Sequence, residues 1–164
     1  MMQSAGCRPT DITYCTLIEA CVLAKETDMA LRVFQRAQRQ GVTHSVQVYT
    51  AAINACMLGA SEADLEAALD IYATMTRNSV EPDDLVYGNL IALAGAARKL
   101  EVAFEMIEDM RASGLRPSTA TCSALIYACI QNGNMAAARK VRGGAVVWVG
   151  RGRWGVGGGG DGGR

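Results

Sequence analysis

The side chains of this sequence that could bind a metal ion or form disulfides are six cysteines and one histidine, His44. No two cysteines are separated by two residues, the spacing that zinc sites and redox motifs commonly use. Cys21, Cys56 and Cys129 instead take the same place in a repeated pattern, where Ala94 stands once. A place that accepts either Cys or Ala predicts a small buried side chain and not a metal ligand. Unpaired thiols in this number favour a reducing compartment.

No combination of residues forms a recognisable catalytic motif. Catalysis by side chains needs a nucleophile, a base and an orienting residue that converge. Glu62, Asp64 and Glu66 stand in an acidic run that is typical of a solvated helix face. Met75 and Met110 fall at helical spacing and are predicted to fill a core. We therefore predict that the chain is not an enzyme and needs no cofactor.

A sequence repeat indicates which elements position these residues. Four landmarks, Tyr14, Tyr49, Tyr87 and Cys122, stand 35, 38 and 35 residues apart within similar apolar phrases. Apolar residues recur at helical spacing around each landmark, and a second such set follows later in each unit. Proline and glycine near the unit ends stop one helix and start the next. Each unit is therefore predicted to be a helical hairpin, which must stack on its neighbours to bury its apolar face.

The fold predicted from this repeat is all-α, a right-handed α-solenoid of antiparallel helical hairpins with a period of 35 residues. Three additional residues in the second unit lie around Gly59, where Ser61 and Asp64 are typical of a capping box. The predicted units are 1–10, the end of a preceding repeat; 11–45, 46–83 and 84–118, whole repeats; 119–141, a partial repeat; and 142–164, a disordered tail rich in Gly and Arg.

Composition and charge restrict the partners that this chain can have. Half of the residues are apolar and 5% are aromatic, a mixture that suits close-packed helices. Residues 1–141 carry 12 basic and 15 acidic residues, so a broad positive field for nucleic acid is excluded. No run of 18 apolar residues occurs, and residues 1–10 lack the features of a signal peptide. We expect no membrane partner, and we expect no organelle-targeting segment within the chain.

Several phrases resemble the pentatricopeptide repeat family over about residues 1–141. They are DITYCTLI at residues 11–18, DLVYGNLI at 84–91 and the unit ending GLRPS at 114–118. Tetratricopeptide repeats differ in their period of 34 and their set of Trp, Leu-Gly and Tyr. A narrower resemblance, through residues 91–95 and 103–110, is to plant and algal chloroplast factors that stabilise the Rubisco large-subunit messenger.

The resemblance implies that each unit contacts one base of single-stranded RNA through two or three side chains. The residue after the landmark and the last residue of the unit read the base, and the residue two before the landmark packs on it. On this chain the successive sets are Cys15 with Ser45 and Ile12; Thr50 with Asp83 and Gln47; Gly88 with Ser118 and Leu85; and Ser123 with Ala120. Only Thr50 with Asp83 is a well-formed pair, which in the family favours guanine. Cys15, Gly88 and Gln47 depart from the usual residues, so the base choice at their units stays open.

The predicted function is sequence-selective binding of single-stranded RNA as part of a longer array. Such an array would stabilise an organellar transcript or guide its processing, in a chloroplast in preference to a mitochondrion, with no small-molecule substrate. A helical-repeat scaffold that binds proteins through the solenoid surface is one alternative. A repeat fragment of an RNA-processing enzyme, with its endonuclease or deaminase domain elsewhere, is another.

The tail, residues 142–164, contains 11 glycines in 23 residues. One interpretation is an Arg-Gly arm in which Trp148 and Trp154 stack on bases. The other is a disordered segment, or translation beyond a true exon edge. Because the repeat breaks off abruptly at Val141, the second interpretation is favoured.

Overall fold

The computed structural model describes residues 10–42, 45–142, 147–149 and 153–155. Its helices form four consecutive pairs: α1 Asp11–Leu23 with α2 Thr27–Arg39, α3 Val46–Cys56 with α4 Glu62–Arg77, α5 Asp84–Ala96 with α6 Leu100–Ala112, and α7 Thr119–Gln131 with α8 Met135–Arg142. The all-α class predicted from the sequence is confirmed, since every element described between residues 10 and 142 is a helix. Within the described ranges, no helix has the length and apolar character to cross a membrane. The predictions for residues 1–9 and for His44 fall outside the described residues.

Contacts between units follow a simple order. Each first helix packs against the first helix of the next unit, so that α1, α3, α5 and α7 form one continuous layer. Each second helix, α2, α4 and α6, also contacts the first helix of the unit that follows. Every unit therefore buries its apolar residues against its neighbours, as expected for stacked repeats.

The landmark tyrosines lie at these junctions and hold them together. The ring of Tyr49 packs edge-on against Phe34 of the preceding unit, with centroids 5.5 Å apart. Its hydroxyl accepts a 2.7 Å hydrogen bond from Nδ2 of Asn78, the residue that ends the second helix of its own unit. The Tyr14 hydroxyl also bonds to the end of the second helix of its own unit, where it donates to Oε1 of Gln40 at 2.6 Å. A buried ring with a paired hydroxyl serves packing, so the landmark tyrosines position the units relative to one another.

The place shared by cysteine and alanine is a buried slot, as the sequence predicts. Cys56, Ala94 and Cys129 are fully buried. Cys21 is half-buried, because no described helix precedes α1. Burial raises the pKa of Cys56 and that of Cys129 to about 11. These thiols therefore stay protonated at neutral pH, and protonated thiols are poor nucleophiles and poor metal ligands.

The three additional residues of the second unit lengthen its second helix, and its turn is longer because α3, with 11 residues, ends two residues earlier than α1, with 13. The turn between α3 and α4 spans residues 57–61, and α4 has 16 residues where α2 and α6 have 13. The predicted capping box is confirmed: Asp64 N donates to Ser61 Oγ at 3.2 Å, and Ser61 N donates to Asp64 Oδ2 at 3.0 Å.

A two-stranded antiparallel sheet lies within the segment predicted to be disordered. Strand β1 is Val147–Val149 and β2 is Arg153–Gly155, with Trp148 opposite Trp154. The prediction is therefore wrong for these six residues. Their valines and tryptophans have high strand propensity, which the glycine content of the whole tail obscured. Arg142, also placed in the tail, is the last residue of α8. The remainder of the predicted tail is outside the described residues.

Left-handed residues end the second helix of each whole unit. Gly41 and Gly114 have φ of 68° and 78°, and Ser79 takes the same place with φ of 57°. The backbone N–H of Val80 closes the turn by donating to Met75 O at 3.1 Å. A residue with a Cβ in this conformation costs roughly 1–2 kcal/mol, which glycine largely avoids.

Replacing Ser79 with glycine is therefore expected to raise the free energy of unfolding by about 0.5–1 kcal/mol, after the greater chain entropy of glycine is subtracted. The midpoint of urea denaturation measures the change. The reciprocal variant Gly41→Ser should lower the midpoint by a similar amount, although a Cβ at Gly41 would meet no atom within 4 Å. Equal midpoints for both variants and the unchanged chain would show that these turns are not strained.

Candidate nucleic-acid interface

The N-terminal ends of the first helices carry the residues predicted to read bases, and the structure brings two of the four predicted sets into cavities. Ile12, Cys15, Ser45 and Gln47 line an open cavity of about 460 Å³. Gln47 also lines the neighbouring cavity, of about 510 Å³, together with the other predicted residues of the second unit, Thr50 and Asp83, and with Leu85, which was predicted for the third unit. The exposed side chain of Gln47 therefore stands between the two cavities.

Each cavity combines exposed apolar surface with a few polar atoms. Ile12 is 78% exposed and Leu85 is 55% exposed, so both offer apolar surface to a ligand. The hydroxyl of Thr50 donates to Val46 O at 3.0 Å, and only 8% of the residue is exposed. Oγ of Ser45 is buried without a hydrogen-bond partner among the described residues. An unpaired buried hydroxyl costs about 1–3 kcal/mol, which a bound polar group would relieve.

The other predicted residues of the third and fourth units have different surroundings, and neither cavity includes Gly88, Ser118, Ala120 or Ser123. Gly88 lies in α5, where an added Cβ would meet only Oγ1 of Thr121, at 3.5 Å. Ser123 is exposed and donates from Oγ to Thr119 O at 2.7 Å. Ala120 is exposed as well, and Ser118 is half-buried.

The last residue of each whole unit is also the N-cap of the next first helix. Ser45, Asp83 and Ser118 precede α3, α5 and α7 with extended backbone. Asp83 Oδ1 accepts from Val86 N at 2.9 Å, and Ser118 Oγ accepts from Thr121 N at 3.2 Å. A side chain at this position can therefore satisfy an open helix end and face a ligand at the same time.

A polar contact between the third and fourth units is centred on Asp84. Its carboxylate accepts hydrogen bonds from Ser118 N at 3.1 Å, Ser118 Oγ at 2.7 Å and Thr121 Oγ1 at 2.6 Å. Burial alone would raise the pKa of Asp84, but the hydrogen bonds from Thr121 and Ser118 outweigh it and hold the pKa below its usual value. The ionised carboxylate therefore joins the two units.

The lowered pKa of Asp84 predicts a stability that depends on pH. The contribution of Asp84 is fully present above its unfolded pKa of about 4 and is lost as pH falls through the lower folded pKa. We expect the stability difference between the unchanged chain and Asp84→Asn to shrink between about pH 5 and pH 3. Urea denaturation at several pH values measures it, and a constant difference would contradict the assignment.

Some residues of the interface were not predicted from the sequence. Glu19 lines both cavities and Asn54 lines the larger one, where its Oδ1 accepts from Asn89 Nδ2 at 2.9 Å. Each stands four residues after a predicted reading residue, Cys15 or Thr50, and so lies on the same helix face. That spacing was the signal that could have identified them.

The charge of this face suits bases better than phosphates. The sequences of α1, α3, α5 and α7 contain no lysine or arginine, whereas Glu19 and Asp83 line the larger cavity. Carboxylates and amides can pair with the N–H groups of bases, but carboxylates repel phosphate. In addition, no group of three or more His, Cys, Asp or Glu among the described residues could hold a metal ion.

Comparisons with known proteins agree with this architecture. The chain is 29% identical over 119 residues to a pentatricopeptide repeat-containing protein of Arabidopsis thaliana, covering 72% of this chain and 13% of that protein. It is 25% identical over 123 residues to the chloroplastic/mitochondrial proteinaceous RNase P 1 of the same species, covering 71% of this chain and 22% of the relative. The chain thus spans less than a quarter of the length of these two relatives.

A solved structure shows the same fold, and a family model covers most of the sequence. The crystal structure of the pentatricopeptide repeat protein PPR10 in complex with an 18-nt psaJ RNA element superposes with a TM-score of 0.77 at 26% identity, covering 85% of this chain and 20% of PPR10. The model described as the pentacotripeptide-repeat region of PRORP matches residues 3–144. The chain therefore belongs to the pentatricopeptide repeat family.

Proposed function

We propose that this chain binds single-stranded RNA with its first-helix face, one nucleotide for each unit. The observation that carries the proposal is the pair of neighbouring cavities that share Gln47, each lined by an exposed apolar side chain and by several polar side chains. A base has two apolar faces and a polar edge, so it complements such a site. The PPR10 structure, which contains RNA, supports the same partner.

A direct binding measurement tests the proposal. The full chain should bind a labelled single-stranded RNA more tightly than duplex RNA or single-stranded DNA of the same sequence, as measured by fluorescence anisotropy. Affinity should be weak, because three whole units contact only about three bases. Failure to bind any single-stranded RNA would contradict the proposal and favour the protein-binding scaffold.

A matched pair of glutamine variants locates the binding face. Gln47 and Gln35 are both exposed helical residues, but Gln47 lies between the cavities and Gln35 lies on α2, a second helix. Gln47→Ala should weaken RNA binding, and Gln35→Ala should leave it unchanged, with neither altering the melting temperature. Equal effects of the two variants would place the RNA elsewhere.

A second candidate is the repeat region of an RNA-processing enzyme, which the match to the PRORP repeat model and the likeness to RNase P 1 favour. In that case the repeats would hold an RNA substrate for a catalytic domain outside residues 1–164. Expression of the complete open reading frame, followed by an assay for cleavage of precursor RNAs, distinguishes the two candidates. Cleavage would identify the enzyme, and RNA binding without cleavage would favour a factor that protects or guides a transcript.

We further propose that the protein acts in an organelle, because the RNase P relative is named as chloroplastic and mitochondrial. The preference for the chloroplast, and the narrower resemblance to factors that stabilise the Rubisco large-subunit messenger, stay predictions. Localisation of the full-length protein fused to a fluorescent marker tests the first. Co-precipitation of organellar transcripts followed by sequencing tests the second.

A further inference from the structure

Two consecutive aspartates at the start of α5 have different surroundings. Asp83 is exposed, lines the larger cavity and uses Oδ1 to cap α5 through Val86 N. Asp84 is half-buried, and its carboxylate accepts three hydrogen bonds, two from Ser118 at the end of its own unit and one from Thr121 of the next unit. The first therefore faces the site, and the second faces the following repeat.

These bonds use most of the hydrogen-bonding capacity of Ser118. Its single hydroxyl proton is donated to Asp84 Oδ2, and its oxygen accepts from Thr121 N. The hydroxyl proton of Thr121 also goes to Asp84, on Oδ1. Ser118 thus has no donor left for a base. The other predicted reader of the third unit, Gly88, has no side chain.

The equivalent bonds cannot form one unit earlier. Val46 stands at the place of Asp84 as the first residue of its unit, and Val86 stands at the place of Thr121 as the third residue. Neither valine has a polar side-chain atom that could bind Asp83, and the side chain of Asp83 caps α5 by accepting from the backbone N–H of Val86. The second unit therefore keeps a closing residue that can face a base.

We propose that Asp84 is a positioning residue that commits Ser118 to the fourth unit, so that the third unit accommodates a nucleotide without selecting its base. This inference rests on the proposed RNA binding. Leu85, which is 55% exposed, remains available to pack on the face of any base. A selective second unit would then be followed by a permissive third unit.

Selection of RNA from a random-sequence pool by the full chain, followed by sequencing, tests this with a matched pair of variants. Asp83 and Ser118 are both N-caps at the end of a whole unit, so Asp83→Ala and Ser118→Ala should each lower the melting temperature. Only Asp83→Ala should change the enriched sequences, by removing a position that favours guanine. A purely structural role of both residues would move the melting temperatures and leave both sequence profiles the same.

A second set of variants tests whether base selectivity can be introduced into the third unit. Gly88→Thr alone should leave the sequence profile unchanged, because Ser118 is still held by Asp84. The double variant Asp84→Ala with Gly88→Thr should add one selective position that the unchanged chain lacks. If the double variant does not fold, the Ser118→Ala profile still decides the question.

The outcomes separate this inference from the function on which it rests. If Ser118→Ala alters the enriched sequences, or if Gly88→Thr alone creates a new selective position, Asp84 does not withhold Ser118. If the unchanged chain enriches no sequence and binds no RNA, the proposed function fails, and the inference fails with it.

Discussion

Replacing Asp83 with asparagine is expected to shift the base preferred by the second unit from guanine toward adenine by about ten- to a hundredfold, since one good polar pair discriminates by about 1–3 kcal/mol. An ionised carboxylate only accepts hydrogen bonds, and the Watson–Crick edge of guanine offers adjacent N–H donors. An asparagine amide both donates and accepts, which suits adenine. Thr50 and Asp83 line the same cavity, as they must if both contact the same base.

The measurement is best made with residues 46–83 placed in a longer array, against RNAs that differ only at the base opposite that unit. Asparagine and aspartate are about equally good N-caps, so Asp83→Asn should leave the stability nearly unchanged. Glu81→Gln makes the same chemical change at an exposed residue two positions earlier and serves as the control. If the ratio of guanine to adenine affinity is the same in both variants, Asp83 does not read the base.

Replacing Gly95 with alanine is expected to lower the free energy of unfolding by about 1–3 kcal/mol, the usual effect of overpacking a close contact. Gly95 is buried where α5 packs on α7, and an added Cβ would stand 2.7 Å from the Cα of Ala128. The backbone of α7 would have to move away. Asn132 Nδ2 also donates to Gly95 O at 3.0 Å, so the same movement would strain that bond.

Gly88→Ala is the matched control, because Gly88 lies in the same helix with only Thr121 Oγ1 near an added Cβ, at 3.5 Å. This substitution should stabilise the chain by roughly 0.5–1 kcal/mol through the lower chain entropy of alanine. Opposite shifts in the denaturation midpoint are therefore expected from one chemical change at two positions of one helix. A stabilised Gly95→Ala variant would show that α5 and α7 are not in close contact.

The helices of this protein could be predicted from its sequence because their signals are local and repeated. The landmark tyrosines, the apolar spacing and the capping box of Ser61 with Asp64 each concern residues within one or two helical turns. The strands Val147–Val149 and Arg153–Gly155 were missed for the opposite reason. Their signal is three residues long and stands in a glycine-rich segment, where composition alone predicts disorder.

The candidate site was predictable residue by residue but not as a set of contacts. Spacing identified Ser45 and Ser118 as equivalent closing residues, yet the structure gives them different partners. Ser118 is held by Asp84, whereas the hydroxyl of Ser45 has no hydrogen-bond partner among the described residues. The contact at Asp84 also includes Thr121, which stands 37 residues after Asp84 in sequence and 2.6 Å from it in space. Contacts across repeats are long-range, and a pattern read within one repeat does not contain them.

Helix capping also determines which substitutions could change the RNA preference of such an array without destabilising it. The residues that cap a helix best are serine, threonine, aspartate and asparagine, whose short polar side chains bring either a donor or an acceptor to a base edge. Exchanges among these four at Asp83 would change the hydrogen-bonding pattern while still supporting α5. An engineer could therefore retarget a unit without designing a compensating mutation, and a natural lineage could do so in single steps that selection against unfolding would not oppose. Asp84 would restrict the same freedom at Ser118, since a new side chain there would have to fit the carboxylate as well as the nucleotide.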